Sequence, residues 1–157
     1  MAEIETIIED DRWSEMEPAA MALAKRCHET VLNRVPDLDG GVALLLTGDS
    51  RVQSLNAEFR NQDKSTNVLS FPSGDDSPDF LGDIALAYET CMQEANTAAL
   101  PLADHAAHLI IHGLLHLVGY DHQSDEDARI MELLETELLA EMGIADPYVA
   151  DPCEAKT

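Results

Sequence analysis

The feature that most constrains this chain is the string HGLLHLVGYDH, from His112 to His122. At 3.6 residues per turn, positions four apart differ by about 40°, so His112 and His116 project side by side from one helix face. Gly119 tolerates positive φ, which lets the chain leave the helix sharply and turn back. Only with such a corner does His122 have a route to the space in front of the other two imidazoles. The string therefore demands a helix, an abrupt stop and a reversal, and the rest of the fold must be built around them.

Three neutral imidazoles with a vacant fourth position match a catalytic rather than a closed structural zinc site. One zinc ion per chain on His112, His116 and His122 is the expectation, with nickel, copper or iron as lesser options for imidazole ligands. The spacing H-x-x-x-H-x-x-G-x-x-H is similar to that of the metzincin peptidases, which carry Glu directly after the first His as general base. Here that residue is Gly113, so the peptidase mechanism lacks its base. His105 and His108 lie on the same helix face. His108 stands to His112 as His112 does to His116: an additional ligand, a partner to a ligand, or a histidine packed beneath the site. Asp121, inside the ligand turn, either holds a ligand imidazole or simply forms the turn.

The remaining patterns are those of one α+β domain spanning residues 1–157. Residues 3–9, Val42–Thr47, Val68–Phe71 and Asp83–Ala87 read as strands. Helical spacing runs from Pro18 to Val31, and Asp49 or Ser50 opens a helix with Val52, Leu55 and Phe59 on one face. Pro101 is placed as the first residue of a helix ending near Val118. Ser124 with Asp127 starts a last helix, faced by Ile130, Leu134, Leu138 and Met142 and closed by Gly143. The tail, about 146–157, is expected to be mobile. With only 4% aromatic residues, the core must be aliphatic.

Thirty-one acids against nine bases give a formal charge of −22. Such a chain repels polyanions at long range, so DNA binding is not expected and any RNA contact must rest on a local patch. No apolar run approaches the ~20 residues that span a bilayer, so no membrane role is expected. The acidic, alternating start MAEIETIIEDDRW is unlike a secretory signal, and a cytoplasmic location follows as an expectation. Cys27, Cys91 and Cys153 form no CxxC pair and suggest neither a disulfide framework nor a thiolate metal site.

HGLLHLVGYDH resembles the signature of the YbeY family, bacterial rRNA-maturation endoribonucleases. Two other stretches agree: LNAEFRNQDKSTNVLSFPSG (Leu55–Gly74) and LGDIALAYETC (Leu81–Cys91). The resemblance implies a mixed sheet of about four strands packed with four to five helices, and one zinc on His112, His116 and His122. It implies single-strand-selective, metal-dependent cleavage of RNA in 3′-end maturation of small-subunit rRNA and in ribosome quality control. The partners implied are single-stranded RNA and the ribosomal small subunit or its proteins. The family's functional arginine falls on Arg60. Gln62 stands where the family often has lysine, Ser65 where it has proline, Asn67 where it has Asp, and Phe59 where it has Tyr.

Arg60 closes a helix, and a cation there is favoured by the helix dipole alone. A guanidinium also offers paired donors to a phosphate, which suits a reaction that builds charge on phosphoryl oxygens; the resemblance favours that role. Lys64, four residues on, is a candidate RNA contact. Two other functions stay open: a non-catalytic ribosome-assembly factor with a structural zinc, and a zinc hydrolase of small substrates.

Overall fold

Four apolar segments pair into one mixed sheet: β1 (Glu3–Ile8), β2 (Gly41–Thr47), β3 (Val68–Pro72) and β4 (Phe80–Ala87). Their spatial order is β1-β2-β4-β3. β1, β2 and β4 run parallel, and β3 joins β4 antiparallel at the sheet's margin. Five α-helices surround the sheet: α1 (Ala20–Arg34), α2 (Asp49–Arg60), α3 (Tyr88–Thr97), α4 (Leu102–Leu117) and α5 (Asp125–Glu141). This computed structural model describes residues 3–16, 19–73, 79–121 and 123–145. The α+β class and the four-stranded mixed sheet are those expected from the sequence; the tail expected to be mobile lies outside the described residues. Among those residues no single helix is long and apolar enough to cross a membrane.

Because successive side chains in a strand point to opposite faces, the sheet has two unequal cores. Leu44, Leu46, Ile84 and Leu86 face α1 and α4 and join the main core with Trp13, Ile110 and Leu115. Leu69, Ala85 and Ala87 face the other way and meet Val52 of α2, with Leu45, Leu55 and Phe71 at the margin. α4 is sunk in the main core; Ala107, Ile111, Leu114 and Leu115 have no exposed surface. Its depth depends on Gly113. A Cβ there would come within 3.0 Å of Ile84 Cδ1 and 3.1 Å of Ser70 Oγ, so the residue that removes the peptidase base also lets the helix lie against β3 and β4.

α4 ends as its sequence requires. Gly119 has φ 104°, its N–H donates to the His116 carbonyl, and the Tyr120 N–H donates to that of Leu115 at 3.0 Å. That pairing is a Schellman motif, which satisfies carbonyls the last turn leaves open. Among the described residues no heavy atom crowds a Cβ at Gly119, where the glycine serves its φ. α5 starts on the Ser124 hydroxyl, which accepts from the Asp127 N–H at 3.1 Å.

Several local expectations are corrected. α3 was not anticipated: it follows β4 directly, is short, and has no side-chain cap of its own. α1 starts at Ala20 and runs on to Arg34, and Pro101 precedes α4 instead of opening it. β4 begins at Phe80 rather than Asp83. Neither Asp49 nor Ser50 caps α2; the Glu89 carboxylate of α3 accepts from the Asp49 N–H at 2.9 Å. Phe59 is 61% exposed and reaches past the sheet margin to Phe71, ring centroids 5.6 Å apart. Ile130 is likewise half exposed, because the buried stripe of α5 is Met131, Glu135, Leu138, Leu139 and Met142.

Candidate functional site

α4 lines up His105, His108, His112 and His116 along one side, with successive ring centroids 6.4, 6.4 and 4.5 Å apart. At the last step the Nε2 atoms of His112 and His116 face each other at 3.0 Å. Two imidazole nitrogens bound tetrahedrally to one zinc at ~2.05 Å each would be about 3.3 Å apart, so the pair fits a shared divalent ion. Among the described residues no group of three or more His, Cys, Asp or Glu side chains is arranged to hold a metal. His122, the expected third ligand, lies outside the described residues.

Behind the pair is a carboxylate that sequence reasoning missed. Glu135 of α5 has no exposed surface. Its Oε2 lies 2.6 Å from His112 Nδ1 and its Oε1 lies 2.8 Å from His108 Nε2. A carboxylate only accepts, so a neutral His112 bonded to it carries its proton on Nδ1 and turns a lone pair out through Nε2. The signal in the sequence was a carboxylate among the apolar residues of the buried α5 stripe, where an unpaired charge is not tolerated. His105 makes a similar contact elsewhere: its Nε2 lies 2.8 Å from Glu94 Oε1, an oxygen that also accepts from Asn67 Nδ2 at 3.0 Å.

His112 and His116 form one wall of a cleft of about 550 Å³, continued by Gly119, Tyr120 and the partly buried Asp121. Asn67–Ser70 of the β3 strand and its approach form the other wall, together with Arg60. Arg60 sits at the C-terminus of α2, donates through Nη2 to the Ser70 carbonyl, and lies over the Phe71 ring, 5.4 Å from its centroid. It therefore brings a guanidinium from the α2 side of the sheet to the histidine side. Lys64 is exposed on the α2–β3 loop, which the Asn56 amide holds through the Lys64 carbonyl at 3.0 Å. Its side chain is not among the groups that line the cleft.

Neither of the two described cysteines lines the cleft. Cys27 and Cys91 are both fully buried, and burial pushes the Cys27 thiol up to about 12 and the Cys91 thiol higher still. Cys153 lies outside the described residues.

An α+β domain with a buried His-x-x-x-His helix along one wall of a cleft and an arginine on the other belongs to a recognisable class. The family described as Endoribonuclease YbeY matches this sequence over residues 6–143. A Maricaulis maris protein named Endoribonuclease YbeY is 46% identical over 149 residues, covering 94% of this chain and 92% of that one. A Ruegeria pomeroyi protein of the same name is 44% identical, covering 94% and 99%. A Thermotoga maritima protein solved in solution is similar in fold, with a TM-score of 0.60 at 25% identity and coverage of 96% and 98%. This chain belongs to the YbeY family.

Proposed function

We propose that this chain is a zinc-dependent endoribonuclease, selective for single strands, that acts in 3′-end maturation of 16S rRNA and in ribosome quality control. The family supports RNA cleavage. The observation that carries the reading is the pair of Nε2 atoms, 3.0 Å apart, in the wall of a cleft that also holds a guanidinium. His112, His116 and His122 would hold the zinc, which would supply Lewis-acid charge for phosphoryl oxygens and activate either a water or a substrate oxygen.

The chain's own residues do the rest. Arg60 offers two parallel N–H donors to a non-bridging phosphate pair, and its charge opposes the charge that builds there during cleavage. Its hold on the Ser70 carbonyl and the Phe71 ring keeps it in the cleft before substrate arrives. Gly113 leaves the position after the first histidine without a carboxylate, which argues against peptide hydrolysis. With a charge of −22 the chain attracts RNA poorly. Delivery by the small subunit or its proteins removes the need for strong intrinsic affinity, and low activity on naked RNA follows.

Arg60→Ala, with zinc content verified, should slow cleavage of single-stranded RNA by about 100-fold or more, in the range seen when one charge-stabilising donor is removed. Unchanged turnover would remove Arg60 from the reaction. A chelator should abolish cleavage while the circular dichroism stays native. Cleavage that survives metal removal would overturn the metal reading, and a chain that cuts peptides but no RNA would overturn the substrate class.

A further inference from the structure

We infer that Glu135 is the positioning residue of the site: it selects the nitrogen that His112 presents and thereby sets metal affinity. This rests on the reading of His112 and His116 as metal ligands. A neutral imidazole carries its proton on either nitrogen, and its ring turns about the Cβ–Cγ bond. Unrestrained, His112 would spend part of its time with Nε2 protonated or turned from His116, and a metal would have to reverse both.

Glu135 removes both freedoms. Its Oε2 engages His112 Nδ1 at 2.6 Å, which leaves Nε2 as the nitrogen turned toward the Nε2 of His116. The carboxylate is itself held. Oε1 is engaged by His108 Nε2 at 2.8 Å, so the plane of the group is fixed from two sides. No part of Glu135 reaches solvent, so water does not compete for either oxygen. Burying a carboxylate costs stability that a leucine at the same place in α5 would not. The position is thus badly chosen for a core and well chosen for orienting a ligand. His108 takes a definite part in the same arrangement: it braces the carboxylate that braces His112. Carboxylates that orient ligating imidazoles in this way are worth 10- to 100-fold in metal affinity.

The test uses the full chain and zinc alone. Zinc affinity is measured by competition with a chromophoric chelator for the wild type, Glu135→Leu, Glu135→Gln and Glu94→Leu. The tautomer of His112 is read from its ring 15N shifts in the metal-free wild type at pH 8. Glu135→Leu should bind zinc about 10- to 100-fold more weakly, and Glu135→Gln should recover part of the loss, because its amide oxygen still accepts from one imidazole. Glu94→Leu should bind as the wild type does, and His112 should be protonated mainly on Nδ1. A folded Glu135→Leu with wild-type zinc affinity would overturn this inference and leave the metal reading standing. A wild type that binds no zinc would overturn both. Should Glu135→Leu not fold, the tautomer decides: a His112 protonated mainly on Nε2 sinks the inference, and one protonated on Nδ1 supports it.

Discussion

Two histidine–carboxylate contacts on α4 have almost the same length and opposite surroundings. His105 meets Glu94 at 2.8 Å, and the Glu94 side chain is 41% exposed. His112 meets Glu135 at 2.6 Å, and the Glu135 side chain has no exposed surface. Water reaches the Glu94 carboxylate of the first contact, although the His105 side chain is only 14% exposed, so that contact contributes little to stability. Water reaches the His112 ring of the second contact, 23% exposed at the cleft, but not the Glu135 carboxylate, and loss of the imidazole contact leaves that carboxylate poorly satisfied in the core. Distance alone would rank the two pairs as equals. The dielectric around them does not.

The largest effect that tests this contrast is on stability. Glu135→Ala leaves a cavity and takes the buried carboxylate from one ring nitrogen each of His108 and His112, and the metal-free protein should lose about 3 kcal/mol in urea unfolding. A loss under about 1 kcal/mol would place Glu135 with Glu94 as a replaceable contact.

Gly113→Ala sharpens the comparison from the backbone. A Cβ meets Ile84 and Ser70 at 3.0–3.1 Å, and overpacking of this kind, partly offset by better helix propensity, should cost about 1–2 kcal/mol. It should also move His112 relative to Glu135 and weaken zinc binding. If affinity is unchanged, the buried contact does not depend on the depth of α4.

His28 supplies a third case, a buried imidazole whose Nε2 has no hydrogen-bond partner among the described residues. Burial holds its pKa below the ordinary 6.5. The unfolded chain therefore takes up a proton first as pH falls, so the stability tied to this group is complete above about 6.5 and is lost below it. Metal-free His28→Leu should lose less stability than the wild type between pH 7.5 and 5.5. Parallel losses would show that the folded state accommodates the charged ring.

The smallest effect belongs to the exposed pair. Glu94→Ala should cost less than about 1 kcal/mol. A larger cost would mean that the Asn67 amide, which shares the same oxygen, depends on it more than its exposure suggests.

These cases also show what local sequence can carry. The helix after Pro101, its stop at Gly119, the cap at Ser124 and the four strands, apart from their exact ends, are set by residues within a few positions of each element, and all were legible. Features made by distant residues were not. Glu89 caps α2 from 40 positions downstream, and Glu135 meets His112 from 23 positions downstream. α3 was hidden because a short helix that follows a strand without a break has no start signal to read. Reading the α5 stripe from Ile130 instead of Met131 left Glu135 out of the buried face, and with it half of the histidine–carboxylate network.

β3 is one of the two edge strands of the sheet, β1 being the other, and such margins are where foreign chains attach by strand addition. Arg60 covers the Ser70 carbonyl on that strand. The guanidinium in the cleft wall thus also covers a backbone acceptor at the sheet margin, and on the proposed function its move to a phosphodiester would uncover that acceptor only while the cleft is occupied. Removing the guanidinium would therefore leave the resting protein more prone to self-association, a cost that a cleavage assay alone would never register.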